Sequence, residues 1–389
     1  MISKEQRIGV IGAGAMGAGI AQVAATAGHT VYLFDSRHDA AAQALVQMGK
    51  TLQKLEEKGK IEQGMSKVLL TRIQAVPSLD AMDDVALVIE AIVEQLPVKQ
   101  EVFSKLEAVV SPDCIIASNT SSLSVTAIAA ACNKPERVLG LHFFNPATLM
   151  PLVEVIPAVQ TSAHLPAECV ELMKSWNKVP VIAKDTPGFI VNRLARSFYG
   201  ESIKIFEEGM ADMPTIDWAL KTFGGFRMGP FELMDLIGND INYTVTETVW
   251  TQMYFDPRYR PSLTQKKITE AKRFGRKTGR GYYDYTEGAV NPQPTENAEL
   301  GKQIFDRVIA MLINEAADAH FLQIATASEL DLAMTKGVNY PKGLLSWCDE
   351  IGAPEVLNRL DSLYNRFRDD RYRASAGLRD MAASGGKYY

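Results

Sequence analysis

The stretch "RIGVIGAGAMG", residues 7–17, limits the fold more than any other part of the chain. A short apolar run passes into three glycines, Gly12, Gly14 and Gly17, and an alanine-rich helical segment continues to about Ala27. Strand, glycine turn and helix in that order open a dinucleotide-binding βαβ unit. Gly12 makes the tight turn, Gly14 lets a pyrophosphate approach the backbone, and Gly17 lets helix and strand pack closely. The helix start offers free N–H donors to phosphates, and Met16 sits in that first turn among the expected cofactor contacts.

A second strand, "TVYLFD", ends in Asp35. A carboxylate there accepts hydrogen bonds from the adenosine ribose and repels a 2′-phosphate, so the expected cofactor is NAD rather than NADP. Arg37 lies close enough to modify that preference, and Asp35 can equally cap a helix starting near Arg37.

Further strands are expected at residues 72–76, 86–92, 114–118, 137–143, 152–156 and 179–183, with helices between most of them, notably 97–110 and 164–176. This alternation predicts a mainly parallel sheet covered on both faces, with ligands beyond the carboxyl ends of its strands. The rule gathers Glu94 after "AIVE", Asn119, Ser121 and Ser122 after "IIAS", and His142 to Asn145 in "LHFFNP". Helix capping is the competing use for Asn119, Ser121 and Ser122.

His142 is one of five histidines, and an isolated one at a strand end is ordinarily a satisfied core residue. Glu154, however, stands in the following apolar strand "PLVEVI", where a lone carboxylate is costly to bury. Pairing resolves both oddities. The carboxylate would fix the imidazole tautomer and stabilise its protonated form, leaving the other nitrogen to take a proton from an alcohol. Next to nicotinamide, that chemistry is alcohol oxidation.

Taken together, "GAGAMGAGIAQVAATAGH", "AIVE", "SNTSSL", "GLHFFNP", "LVEVI", "DTPGFIVNRL" and "GPFELMDLIG" resemble the 3-hydroxyacyl-CoA dehydrogenase family, from about residue 6 to 285 and more weakly to the end. Within it the chain is similar to the branch serving phenylacetate breakdown through 3-hydroxyadipyl-CoA. The resemblance implies NAD-dependent oxidation of an (S)-3-hydroxyacyl-CoA to the 3-oxoacyl-CoA, as in β-oxidation of fatty acids. It makes His142 the base and Glu154 its orienting partner, with Ser121 and Asn192 holding the substrate's oxygens and the nicotinamide region. Asp35, Glu94, Lys99 and Asn145 match family positions around NAD. A dehydrogenase for a free hydroxy acid or sugar acid, as in the related lambda-crystallin-like proteins, is the alternative within the same chemistry. A catalytically silent NAD-binding structural or sensor protein is the alternative outside it, and the intact His142–Glu154 pair counts against silence.

A CoA thioester brings phosphates. Lys50, Lys54 and Lys58 recur every four residues and would form one row on a helix, either facing those phosphates or solvated and balanced by Glu56 and Glu57. The net charge of −5 argues against a nucleic-acid partner. The polar lead before residue 7 lacks the regions of a signal peptide, and no apolar run approaches the roughly 20 residues needed to span a bilayer. Cys114, Cys132, Cys169 and Cys348 are scattered, suggesting neither a metal site nor a disulfide framework. A cytoplasmic protein without a membrane partner is expected.

The Pro-Gly break in "AKDTPGFIVNRL" reads as a domain boundary near Asp185, followed by a long apolar helix carrying Asn192. Beyond it the chain reads as all-α and repeats itself. Sliding it so that Arg193 meets Arg307 aligns residues 193–238 with 307–352: Glu201 meets Glu315, Asp217 meets Asp331, and "DLIG" meets "DEIG". "DPRYRPS" from Asp256 echoes "DDRYRAS" from Asp369. The expected organisation is a Rossmann-type α/β domain over residues 1–185, a helical unit over 186–285, a linker over 286–303 and a degenerate helical repeat over 304–389. In that repeat Asp306 takes the place of Asn192. The second copy should act as an internal dimer partner, with further association of whole chains left open.

Overall fold

The computed structural model describes residues 2–389. They divide into two compact units, one ending at Phe189 and the other Ile190–Tyr389.

The first unit is built on eight strands: β1 (Arg7–Ile11), β2 (Val31–Phe34), β3 (Ile73–Ala75), β4 (Val85–Glu90), β5 (Ile115–Ser118), β6 (Val138–Phe143), β7 (Leu152–Pro157) and β8 (Val179–Ile182). They form one sheet in the order β3-β2-β1-β4-β5-β6-β7-β8. All neighbours are parallel except β6 and β7. That pair is antiparallel because the connection over 144–151 is too short for the crossover a parallel return needs.

Six helices cover the sheet: α1 (Ala15–Ala27), α2 (Ala40–Glu57), α3 (Met65–Thr71), α4 (Leu96–Val109), α5 (Val125–Ala129) and α6 (Leu165–Ser175). Alternate strand residues, among them Leu87, Ile89, Leu139, Leu141, Val153 and Val155, share one apolar cluster with α1 and α6. The intervening positions face the opposite way, where a side chain on Gly140 would press on Val125 of α5. Covered on both faces, β6 is buried along its whole length. The order of strands reverses between β1 and β4, so the carboxyl ends of β1, β4, β5 and β6 converge where such sheets bind ligands.

The boundary lies a few residues beyond Asp185. Asp185 accepts hydrogen bonds from Ser124 Oγ and from the backbone of Val125 and Thr126 at the start of α5, which holds the chain to the first unit until Phe189. The long helix expected next is instead broken into α7 (Val191–Leu194) and α8 (Arg196–Glu207).

The second unit continues with α9 (Met213–Gly224), α10 (Pro230–Ile237), α11 (Asn239–Gln252) and α12 (Leu263–Glu270). After a connection come α13 (Ala298–Phe321), α14 (Ala327–Gly337), α15 (Leu344–Ile351), α16 (Ala353–Phe367) and α17 (Ala376–Ser384). Helix α13 reaches back into the segment read as linker because Asn297 caps it, accepting from Leu300 N at 3.0 Å.

Equivalent residues of the two copies make equivalent local contacts. Asp217 accepts the backbone N–H groups of Phe231 and Glu232 at the start of α10, and Asp331 those of Leu345 and Ser346 at the start of α15. Asp235 accepts from the backbone of Tyr282 and Tyr283, and Asp349 from that of Tyr388 and Tyr389. The repeat therefore runs to the last residue, further than the sequence match had reached.

Across the copies the contacts are reciprocal. Arg193 Nε meets Glu315 at 2.5 Å, and Arg307 Nε meets Glu201 at 2.6 Å. Arg258 and Tyr259 also reach Glu315, just as Arg371 and Tyr372 reach Glu201. Both carboxylates are buried, and flanking arginines satisfy each one.

Candidate active site

The glycine turn leaves β1 with Gly12 at φ 100°, a conformation that disfavours any side chain, and a Cβ there would overlap the Ala91 carbonyl beyond β4. A Cβ on Gly17 would overlap the Gly12 carbonyl. Gly14 is different: it has φ −70° at the start of α1, and a Cβ would meet no protein atom within 4 Å. Nothing in the protein requires a glycine there. A pyrophosphate lying against the exposed backbone would, so the turn can accept a dinucleotide. Met16, half-buried, packs against the core cluster.

Asp35 does not cap α2, whose N-cap position is Asp39. Its carboxylate accepts Ala13 N at 2.8 Å from the glycine turn and Arg37 N at 2.9 Å. The guanidinium of Arg37 also closes on it, and that bond above all holds the carboxyl down at about 2.

The neighbouring strand ends are tied by Ala91 N to Ile11 O and Asn119 N to Glu90 O, both at 2.7 Å. Glu94 follows β4. Its Oε1 accepts Thr120 Oγ1 (2.6 Å), Ser121 N (2.9 Å), Ser122 N (3.1 Å) and Ser122 Oγ (3.0 Å). Burial works against the Glu94 charge, but Lys99 and these donors outweigh it and lower the carboxyl below its ordinary range. Lys99, 1 % exposed, lies 2.6 Å from Glu90 and 3.3 Å from Glu94. It thus positions carboxylates and does not face outward.

Glu90 was not singled out in the sequence. This buried carboxylate also accepts Ile92 N and Ser118 Oγ, both at 2.7 Å, and so joins the ends of β4 and β5. The clue was available: an acid alone in the apolar run "ALVIEAI" raises the same question as Glu154.

Asn119, Ser121 and Ser122 do not cap α5, because Ser124 does so through Ala127 N. Asn119 Oδ1 instead accepts Phe143 N at 2.8 Å, fixing the end of β6 beside the end of β5. The antiparallel register of β6 and β7 sets His142 directly opposite Glu154. His142 Nδ1 lies 2.7 Å from Glu154 Oε2, with His142 6 % and Glu154 0 % exposed. Phe144 and Phe189 flank the ring at centroid distances of 4.5 and 5.9 Å. Phe189, held at φ 46°, is a neighbour the sequence did not announce.

Asn145 is exposed just past β6. Lys50 and Lys54 are exposed on α2, which packs on α3 and β3, and Lys58 falls just beyond that helix. Glu56, in the same helix, accepts Ser66 N at 2.6 Å. Asn192 belongs to the second unit, where its carbonyl accepts Arg196 Nε at 2.9 Å. Asp306, its counterpart in the second copy, is paired with Lys302 and Arg359.

Comparison with known proteins agrees with this geometry. Residues 7–186 match the 3-hydroxyacyl-CoA dehydrogenase NAD-binding domain, and residues 188–285 and 304–387 each match the C-terminal domain of that family. The chain is 36% identical to the 3-hydroxyadipyl-CoA dehydrogenase of Escherichia coli K12 over 98% of both chains. It is 42% identical to the human mitochondrial hydroxyacyl-coenzyme A dehydrogenase, over 72% of this chain and 91% of that one. The crystal structure of a 3-hydroxybutyryl-CoA dehydrogenase from Escherichia coli K12 superposes with a TM-score of 0.92 at 34% identity, covering 98% of this chain and 99% of that one. With both domains matched and the whole length shared, the chain belongs to the 3-hydroxyacyl-CoA dehydrogenase family.

Proposed function

We propose that the His142–Glu154 pair is the general base for the reaction of this family, NAD-dependent oxidation of an (S)-3-hydroxyacyl-CoA to the 3-oxoacyl-CoA. The observation that carries the assignment is the 2.7 Å contact between His142 Nδ1 and a fully buried Glu154. With Nδ1–H donated to the carboxylate, Nε2 keeps its lone pair and accepts the proton of the substrate's 3-hydroxyl. Glu154 then stabilises the imidazolium without itself taking the proton. Bound NAD supplies the acceptor for the hydride that leaves C3. Gly12, Gly14 and Gly17 shape its phosphate site, Asp35 receives the adenosine ribose, and Glu94 orders the Ser121–Ser122 backbone near the nicotinamide end. Lys99 acts through Glu94. Family correspondence assigns Ser121 and Asn192 to the substrate's oxygens and the nicotinamide region, and Asn145 to the surroundings of NAD. Lys50 and Lys54 are exposed, which suits a role in meeting CoA phosphates.

The division into three parts is supported by domain matches that run over 7–186, 188–285 and 304–387. The reciprocal Arg193–Glu315 and Arg307–Glu201 pairs support reading the two helical copies as an internal dimer, since exchange of equivalent residues marks a two-fold relation. Four buried free thiols suit a reducing compartment such as the cytoplasm. Among the described residues no helix is long and apolar enough to cross a membrane.

For the acyl group we favour a short chain ending in a carboxylate, the 3-hydroxyadipyl thioester, on the strength of the full-length relative named for it. The test follows NADH absorbance with 3-oxoadipyl-CoA, 3-oxobutyryl-CoA, longer 3-oxoacyl-CoA thioesters and the matching free acids. Turnover of free acids at the thioester rate would overturn the CoA assignment. A preference for 3-oxobutyryl-CoA would overturn only the carboxylated chain.

A further inference from the structure

The carboxylate assigned to the adenosine ribose is already engaged at every acceptor position. Asp35 Oδ2 accepts Ala13 N at 2.8 Å and Arg37 Nη2 at 2.9 Å, while Oδ1 accepts Arg37 N at 2.9 Å and Arg37 Nε at 3.0 Å. A carboxylate offers about four lone-pair sites. Two of these donors are backbone amides fixed by the glycine turn and by the loop after β2, so they stay. The other two belong to the Arg37 guanidinium, whose side chain is 71% exposed and has Asp35 as its ion-pair partner.

We infer that Arg37 is a cofactor-selectivity residue: its fork competes with the ribose hydroxyls for Asp35, and once displaced it stands beside the ribose 2′ position as a cation able to take a 2′-phosphate. The inference rests on reading Asp35 as the ribose acceptor. Two effects of opposite sign follow. Competition for the carboxylate weakens binding of NAD and NADH, because each ribose bond is made at the expense of an existing charge-assisted one. The displaced guanidinium offsets the repulsion between Asp35 and a 2′-phosphate, and a planar fork suits a phosphate better than a point charge does. Selectivity against NADPH is therefore narrower than Asp35 alone would impose. The competing view is an exposed ion pair of no consequence, as many are.

Direct titration of the full-length protein at low salt separates these views. The probes are NADH, NADPH, and two fragments that report only the adenosine end, 5′-AMP and adenosine 2′,5′-bisphosphate. Arg37→Gln should bind NADH and 5′-AMP more tightly by up to roughly fivefold, the range of an exposed ion pair. The same variant should weaken NADPH and the bisphosphate by about tenfold or more, as loss of a charge-assisted phosphate contact does. Arg37→Lys should keep much of the bisphosphate affinity, since the charge remains, while losing the fork on Asp35. Unchanged relative affinities for bisphosphate and 5′-AMP in Arg37→Gln, or weaker NADH binding, would overturn the inference. Asp35→Asn serves as the control. If it leaves NADH affinity intact, the ribose assignment fails and this inference fails with it. If it weakens NADH while Arg37→Gln changes nothing, only the role of Arg37 is wrong.

Discussion

As the proposed base, His142 would need its ring held in one orientation, and a carboxylate oxygen of Glu154 lies 2.7 Å from its Nδ1. His142→Gln should lower kcat by roughly 10²- to 10⁴-fold, the usual range for a positioned general base, with NADH affinity little changed in a fluorescence titration. Glu154→Gln should show the same defect in milder form, because the neutral amide cannot stabilise imidazolium. Near-parental turnover in both would remove the pair from the mechanism. The glycines allow a sharper contrast. Gly14→Ala adds a methyl where no protein atom lies within 4 Å, so its melting temperature should stay close to the parent's while NADH binding weakens. Gly17→Ala drives the methyl into the Gly12 carbonyl and should cost about 1–3 kcal/mol of stability, as overpacking does. Equal behaviour of the two variants would show that Gly14 does not face the cofactor.

At the scale of elements, the site is a row of strand ends, each pinned to the next by a side chain. Glu90 joins β4 to β5, Asn119 joins β5 to β6, and the His142–Glu154 register joins β6 to β7. The row was largely legible from sequence because chemistry at the carboxyl ends of parallel strands follows from topology. The strand runs, the glycine turn and the His–Glu pairing could all be read from local pattern. Contacts that depend on distant parts of the chain could not. Nothing local says that Phe189 settles against His142 or that Lys99 turns inward to Glu90. Glu94 gives this scale its pH test. Its carboxyl is held below the ordinary value of 4.5, so the stabilisation it contributes is full above that pH and is lost as pH falls through the lowered value. Urea unfolding between about pH 3 and pH 6 should show Glu94→Gln to be less acid-sensitive than the parent. Parallel acid limbs would mean that Glu94 does not link the loops after β4 and β5 to stability.

For the whole molecule, the helical half is held by charges that each copy lends to the other. Glu201→Gln leaves the buried Arg307 and Arg371 undercompensated and Glu315→Gln the buried Arg193 and half-buried Arg258, and both should destabilise the chain by a similar amount, about 3–5 kcal/mol in urea unfolding. Very unequal costs would mean that the reciprocal geometry hides unequal roles. A chain ending at Tyr285 should expose the faces of α8 and α9 that α13 covers, and light scattering should find it dimeric or aggregated. A monomer as stable as the parent would show that the first copy needs no partner. Joining the copies through residues 286–297 also removes their encounter from mass action. A contact made within one chain has a fixed effective concentration, so dilution does not dissolve it. The Arg193–Glu315 and Arg307–Glu201 pairs should persist at trace protein levels, where separate subunits held by the same surfaces would drift apart.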